Sequence, residues 1–176
     1  MELVIDITNS SESPSASAKY RLPNVLLSVS ALRSLTINGC ELPSSLMVDV
    51  VMFKCLGQLI LINVPIDDEV IKYLTTSCPL LQVFKIRSCP GFKSFCVYGH
   101  QNLWDVWICY NTPVERIDIE APNLSTLSII DDDESGPPQM NLASCKNLKN
   151  CHTLRIPYQT RMVLQTSYPT SHLLKI

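Results

Sequence analysis

The stretch Leu32-Arg33-Ser34-Leu35-Thr36-Ile37-Asn38-Gly39-Cys40-Glu41-Leu42 decides the fold, because its apolar spacing recurs down the chain. Leu32, Leu35, Ile37, Cys40 and Leu42 satisfy every position of the pattern L-x-x-L-x-L-x-x-(N/C)-x-L. Toward the C-terminus, Leu56, Leu59 and Leu61 repeat the first half, with Val64 in the Asn/Cys slot and Ile66 in the last. Leu81, Phe84, Ile86 and Cys89 follow, with Phe92 one residue late. Weaker copies are Leu103, Val106, Ile108, then Leu124, Leu127, Ile129, and finally Cys151, Leu154, Ile156. First positions at 32, 56, 81, 103, 124 and 151 give steps of 24, 25, 22, 21 and 27 residues.

A period of about 20 to 29 residues carrying this pattern marks a leucine-rich repeat, in which one unit cannot bury its apolar side alone and stacking does so. The expected fold is therefore an α/β, right-handed leucine-rich repeat solenoid. Its parallel β-strands line the concave face, and helix and strand mix on the convex side. Asp67-Asp68-Glu69, followed by Val70, Ile71 and Leu74 and ended by Ser77-Cys78-Pro79, has acids in the first turn, helical spacing and a terminal proline, and so predicts a helix. Met47, Val50, Val51 and Phe53 predict a shorter helix after the first strand. Two further triplets, Phe92-Phe95-Val97 and Val114-Ile117-Ile119, follow a main strand too soon to begin a new coil, and read as convex return strands.

The flanks are less regular. An opening strand at Leu3 to Ile7 precedes a mobile Ser/Pro loop from Ser10 to Lys19, and Asp131-Asp132-Asp133-Glu134-Ser135-Gly136-Pro137-Pro138 forms a second, solvated polar loop. The organisation read from this is one leucine-rich repeat domain over 1–156 and an irregular C-terminal tail over 157–176. A length of 176 residues suits one domain, and 46% hydrophobic against 17% charged residues supplies a core. Fourteen Lys plus Arg against sixteen Asp plus Glu give a net charge of -2, which provides no field for nucleic acid or anionic membrane. The apolar run from Leu59 to Ile66 is far short of the roughly 20 residues a membrane span needs. The N-terminus carries Glu2 and Asp6 where a secretory signal carries base, so no export is expected. Eight cysteines without a C-x-x-C read as reduced, mostly buried thiols.

At the level of phrases the chain resembles the leucine-rich region of plant F-box/LRR proteins, the F-box/FBD/LRR family. The likeness rests on Tyr20-Arg21-Leu22-Pro23, the stretch from Leu32 to Leu42, Ile66-Asp67-Asp68-Glu69-Val70 and Ser77-Cys78-Pro79-Leu80-Leu81. Cys89-Pro90-Gly91-Phe92-Lys93-Ser94 and Ile119-Glu120-Ala121-Pro122-Asn123-Leu124 complete it. The resemblance implies a substrate receptor of an SCF-type ubiquitin ligase, in which an F-box docks a Skp-type adaptor and the repeats hold a target protein. The repeats begin at once here, so the chain is read as the recognition region without an F-box of its own. A Skp-type adaptor is then a partner only if an F-box lies upstream. The alternatives are a truncated or partial product with no independent function, and a leucine-rich scaffold outside the ligases. The resemblance also implies a cytoplasmic or nuclear address, since the G-x-I-P phrase of extracellular plant repeats is missing. Asn9-Ser10-Ser11 and Asn123-Leu124-Ser125 match the glycosylation pattern, a match common by chance.

Strand side chains alternate, so the neighbours of the inward leucines face the concave side. That rule selects Ser34, Thr36, Asn38; Gln58, Ile60, Ile62; Val83, Lys85, Arg87; Asp105, Trp107; Thr126, Ser128; Thr153 and Arg155. The candidate partner-binding residues are Gln58, Lys85, Arg87, Asp105, Trp107 and Ser128, with Trp107 as aromatic anchor. The bland alternative is that Lys85 and Asp105 pair across neighbouring strands and Trp107 packs on them. Ile60 and Ile62 either extend the site as an apolar patch or are covered.

No catalytic residue, metal ligand or cofactor is expected. Cys40 and Cys89 fill the Asn/Cys slot, and Cys78 closes a helix, which are structural uses. Cys145, Cys151 and His152 come closest to a chemical cluster, but their spacing is not that of a zinc site. His100 and His172 are isolated. No phosphate-cradling, nucleophile-elbow or zincin motif occurs, so the chain reads as a binding module and not an enzyme.

Overall fold

Leu35, Leu59, Phe84, Val106 and Leu127 lie side by side across a parallel sheet, each the register partner of the one before. Ile37, Leu61, Ile86, Ile108 and Ile129 form a second such column, and every member of both is buried. Removing an aliphatic or aromatic side chain from water stabilises by roughly 1.5 to 3 kcal/mol, so these stacked columns dominate the stability of the coil array.

The computed structural model describes residues 1–6, 21, 31–43, 53–132 and 136–155. The main sheet contains β1 (Glu2–Asp6), β2 (Ser34–Asn38), β3 (Gln58–Ile62), β4 (Val83–Arg87), β6 (Asp105–Tyr110), β8 (Thr126–Asp131) and β10 (Asn150–Arg155). Its order is β1-β2-β3-β4-β6-β8-β10, with every pair parallel. The return side carries a single described helix, α1 (Asp68–Ser77), and a parallel sheet of β5 (Ser94–Val97), β7 (Arg116–Ile119) and β9 (Gln139–Asn141). This is a leucine-rich repeat solenoid. The opening strand is present as β1, and both expected return strands are present as β5 and β7. The third, β9, has exposed residues and no apolar triplet to announce it. The shorter helix after β2, the Ser10 to Lys19 loop, Tyr20, Leu22, Pro23, residues 133–135, the 157–176 tail, His172 and the Asn9 glycosylation match all lie outside the described residues.

Local chemistry explains the elements. Asp67 caps α1 by accepting from the Val70 amide at 2.8 Å, which satisfies one of the free N–H groups of a helix start. Where each early main strand turns away, Gly39, Asn63 and Ser88 take φ of 73°, 52° and 50°. Their amides then donate to the next coil, Gly39 to Ile62, Asn63 to Arg87 and Ser88 to Cys109. Phe84 and Phe95, with ring centroids 5.5 Å apart, join a main strand to its return strand through the core.

Candidate functional site

The outward residues of the main sheet align in three rows, fixed by register. The first is Glu2, Ser34, Gln58, Val83, Asp105, Thr126, Asn150; the second Val4, Thr36, Ile60, Lys85, Trp107, Ser128, His152; the third Asp6, Asn38, Ile62, Arg87, Cys109, Ile130, Leu154. Gln58, Lys85, Arg87, Asp105, Trp107 and Ser128 therefore share one patch. It spans β3 to β8, about 14 Å across at roughly 4.8 Å per strand.

Within the patch Lys85 stands directly opposite Trp107, and Lys85 Nζ reaches diagonally to Asp105 Oδ2 at 3.1 Å. The pairing raised as the bland alternative is thus present; with Lys85 more than a third exposed it is worth at most about 1 kcal/mol. Arg87 is exposed, and its opposite neighbour is Cys109, a half-buried residue that the pattern analysis left off the face. The same alternation, carried two residues further along β6, would have found it. Burial pushes the Cys109 thiol up, against the pull of the Arg87 charge. Thr36 and Ile60 lie on this face yet are buried, at 7% and 8% exposure, so Ile60 does not extend the site as an accessible apolar patch. Ile62 remains half-buried. Beside the first row an open depression of about 510 Å³ is lined by Arg33, Ser34, Gln58, Leu80, Gln82 and Val83 among others.

The last coil differs from expectation. Cys151 pairs with Leu127, Thr153 with Ile129 and Arg155 with Asp131, which puts all three in the inward columns. Thr153 and Arg155 thus leave the candidate face, and Asn150, His152 and Leu154 take their place. The coil begins at Leu148, not Cys151, and the step from Leu124 is 24 residues. The missed signal is the dipeptide Asn-Leu at Asn102-Leu103, Asn123-Leu124 and Asn147-Leu148. These asparagines tie coil to coil. Asn102 donates to Pro79 O, Asn123 to Gln101 O, and Asn147 to the Asn123 side chain at 3.0 Å. The Asn123 glycosylation match is therefore committed to packing between coils. Arg155 donates to buried Asp131 through Nε at 3.1 Å and Nη2 at 3.0 Å.

The chemical candidates separate. Cys145 is buried and donates to Ile119 O at 3.2 Å. Cys151 and His152 are successive strand residues and point to opposite faces, so they do not act on one ligand. Among the described residues no group of three or more His, Cys, Asp or Glu is placed to hold a metal ion. Cys89 sits in the Asn/Cys slot and donates to Leu61 O of the preceding coil at 3.5 Å, and burial pushes its thiol up to about 11. Burial pushes Cys78 up to about 12. His100 is buried with Nε2 2.8 Å from Thr75 O, and its Nδ1 has no partner. Burial holds its pKa below the usual histidine value.

Pattern reasoning also missed two return-side acids. Asp68 accepts from the amides of Lys93 at 2.7 Å and Ser94 at 2.9 Å, and so pins α1 to the start of β5. Asp118 accepts from Arg116, from Tyr98 Oη at 3.0 Å and from Asn141 Nδ2 at 3.0 Å. Hydrogen bonding with Cys96 and then Asp118 pushes the Tyr98 phenol up to about 12. This cluster is satisfied internally.

With fold and face in place, the comparison with known families is decisive. A family model described as FBD-associated F-box protein At5g56370, LRR repeats, matches residues 2–169. The chain belongs to this family. No match was found among curated proteins or among solved structures. In family terms the main sheet with its stacked leucine columns is the repeat array, and the protein is a leucine-rich repeat interaction module. Among the described residues no helix is long and apolar enough to cross a membrane.

Proposed function

We propose that the chain binds a protein partner on the outer, concave face of its main sheet, through Gln58, Lys85, Arg87, Asp105, Trp107 and Ser128. The observation that supports this reading is the register by which these six share one patch, with half-buried Trp107 one row from exposed Arg87. Aromatic and arginine side chains of this kind anchor interfaces, while a scaffold of rigid strands holds them in place. The family description further favours a role as the target-recognition part of an F-box receptor in an SCF-type ubiquitin ligase of a plant cell, in the cytoplasm or nucleus. In that role the chain itself performs no catalysis, and an F-box joined to it engages the Skp-type adaptor.

The test is capture of partners on tagged protein carrying Lys85→Ala, Arg87→Ala and Trp107→Ala together, beside a control carrying Lys93→Ala and Glu115→Ala on the return side. Loss of partners from the triple variant alone, at unchanged thermal melting, supports the face; full retention removes it. The ligase role stands on a separate readout. Co-purification of a Skp-type adaptor with the full-length gene product is expected, and its absence would leave a binding module outside the ligases.

A further inference from the structure

We infer that the open depression beside the first row receives a carboxamide side chain, Gln or Asn, of the protein partner. This rests on the concave-face reading above and names what one end of that face takes.

The depression lies where one side chain is missing. The backbone ladder sets Gly57 between Arg33 and Gln82, its amide donating to Arg33 O at 2.9 Å and its carbonyl accepting from the Gln82 amide at 2.8 Å. Arg33 and Gln82 are exposed side chains on either side of it. The backbone does not demand glycine there. Gly57 is not among the residues with positive φ, and an added Cβ would meet only ordinary contacts, 3.8 Å from Arg33 O and 3.9 Å from Leu80 O. What the glycine does is keep about 510 Å³ open, a volume within the roughly 300 to 1,000 Å³ of ligand sites. The space is continuous with the proposed patch, because Ser34, Gln58 and Val83 of the first row line it and are register partners.

The lining sets the chemistry. Ser34 Oγ is shielded from water, and among the described residues it has no hydrogen-bond partner, which is rare for a buried hydroxyl. Gln58 and Gln82 each offer a carbonyl acceptor and an amide donor, whereas Arg33 only donates. A group that fits must therefore accept on the Arg33 and Ser34 side and donate on the Gln82 side. A carboxamide does both, through separate atoms. Its methylenes would lie against Val83 and against Leu80, which is 47% exposed.

Other side chains fit less well. A carboxylate accepts but cannot donate, and would stand near Glu2, the register partner of Ser34. An ammonium or guanidinium only donates and would meet Arg33. A hydroxyl carries donor and acceptor on one atom, which does not span walls two strands apart, about 9.6 Å. An apolar side chain would bury the glutamine amides and leave Ser34 Oγ unanswered.

The experiment is selection of random peptides displayed on phage against the full chain, followed by titration of the recovered peptides. The proteins titrated are the wild type, Ser34→Ala, Gly57→Leu, Trp107→Ala, and the return-side control Lys93→Ala with Glu115→Ala. The expected result is enrichment of Gln or Asn at one peptide position, where replacement by Glu or Leu weakens binding by about tenfold or more. Ser34→Ala and Gly57→Leu should each weaken binding by about fivefold or more, with the control unchanged. Ser34→Ala should also melt no lower than the wild type, since the hydroxyl it removes makes no described bond in the free chain. Peptides that lose binding in Trp107→Ala but not in Ser34→Ala or Gly57→Leu would overturn the depression and keep the concave face. Peptides that need the depression yet carry an acidic or apolar residue at the enriched position would overturn the carboxamide class. Indifference to all three variants, or no enrichment at all, would overturn both readings.

Discussion

At the scale of single residues, three positions carry specific loads. A Cβ on Gly91, at φ of 112°, would fall 2.7 Å from the Ile66 carbonyl oxygen, a backbone atom and not the far end of a flexible side chain. Gly91→Ala should therefore cost about 1 to 3 kcal/mol, read as a lower denaturant midpoint. Asp68→Ala leaves the Lys93 and Ser94 amides without an acceptor and should cost about 1 to 3 kcal/mol in the same assay. His100 gives a pH dependence of known sign. Its folded pKa lies below the ordinary value of 6.5, so the unfolded chain takes up a proton that the folded chain resists. Stability should fall as pH drops below about 6.5 and keep falling until the folded histidine also titrates. His100→Gln should lose that component in denaturation curves at pH 7.5 and 5.5. None of these roles was legible in the sequence. Each depends on a contact with a coil some 25 residues away, Asp68 with Ser94 and His100 with Thr75, and no local spacing encodes it.

At the scale of elements, hydrophobic period located the main strands because both apolar positions of a buried strand leave a mark. Leu59 and Leu61, or Val106 and Ile108, could not be read otherwise. It misplaced the last coil where that mark weakens: β10 offers Cys151 and Thr153 to the inward columns, and Leu154 drew the frame off. The Asn-Leu dipeptides held the true frame through hydrogen bonds, a polar signal outside an apolar template. The corrected frame makes a clear prediction. Leu127→Ala, fully buried, should cost about 2 to 5 kcal/mol, whereas Leu154→Ala, 56% exposed, should stay within about 0.5 kcal/mol. Equal losses by urea denaturation would restore the original frame. Asp67 shows the opposite case, since the capping acid and the helix after it are both plain in the sequence.

At the scale of the whole molecule, the array is a row of coils that each touch only their neighbours, and its outer face is as regular as its core. That regularity made the candidate patch legible. Alternation alone placed Gln58, Lys85, Arg87, Asp105, Trp107 and Ser128 on one side. What it could not supply was state: Ile60 proved buried and Lys85 proved paired, both of which depend on neighbouring coils. The proposed function requires that a protein partner sit on this face and not on the return side. Hydroxyl-radical footprinting of the chain, alone and with its captured partner, reads that directly through side-chain oxidation. Trp107 and Ile62 should become protected while exposed Tyr98 and Met140 on the return side oxidise as before. Protection of Tyr98 and Met140 with Trp107 unchanged would contradict it.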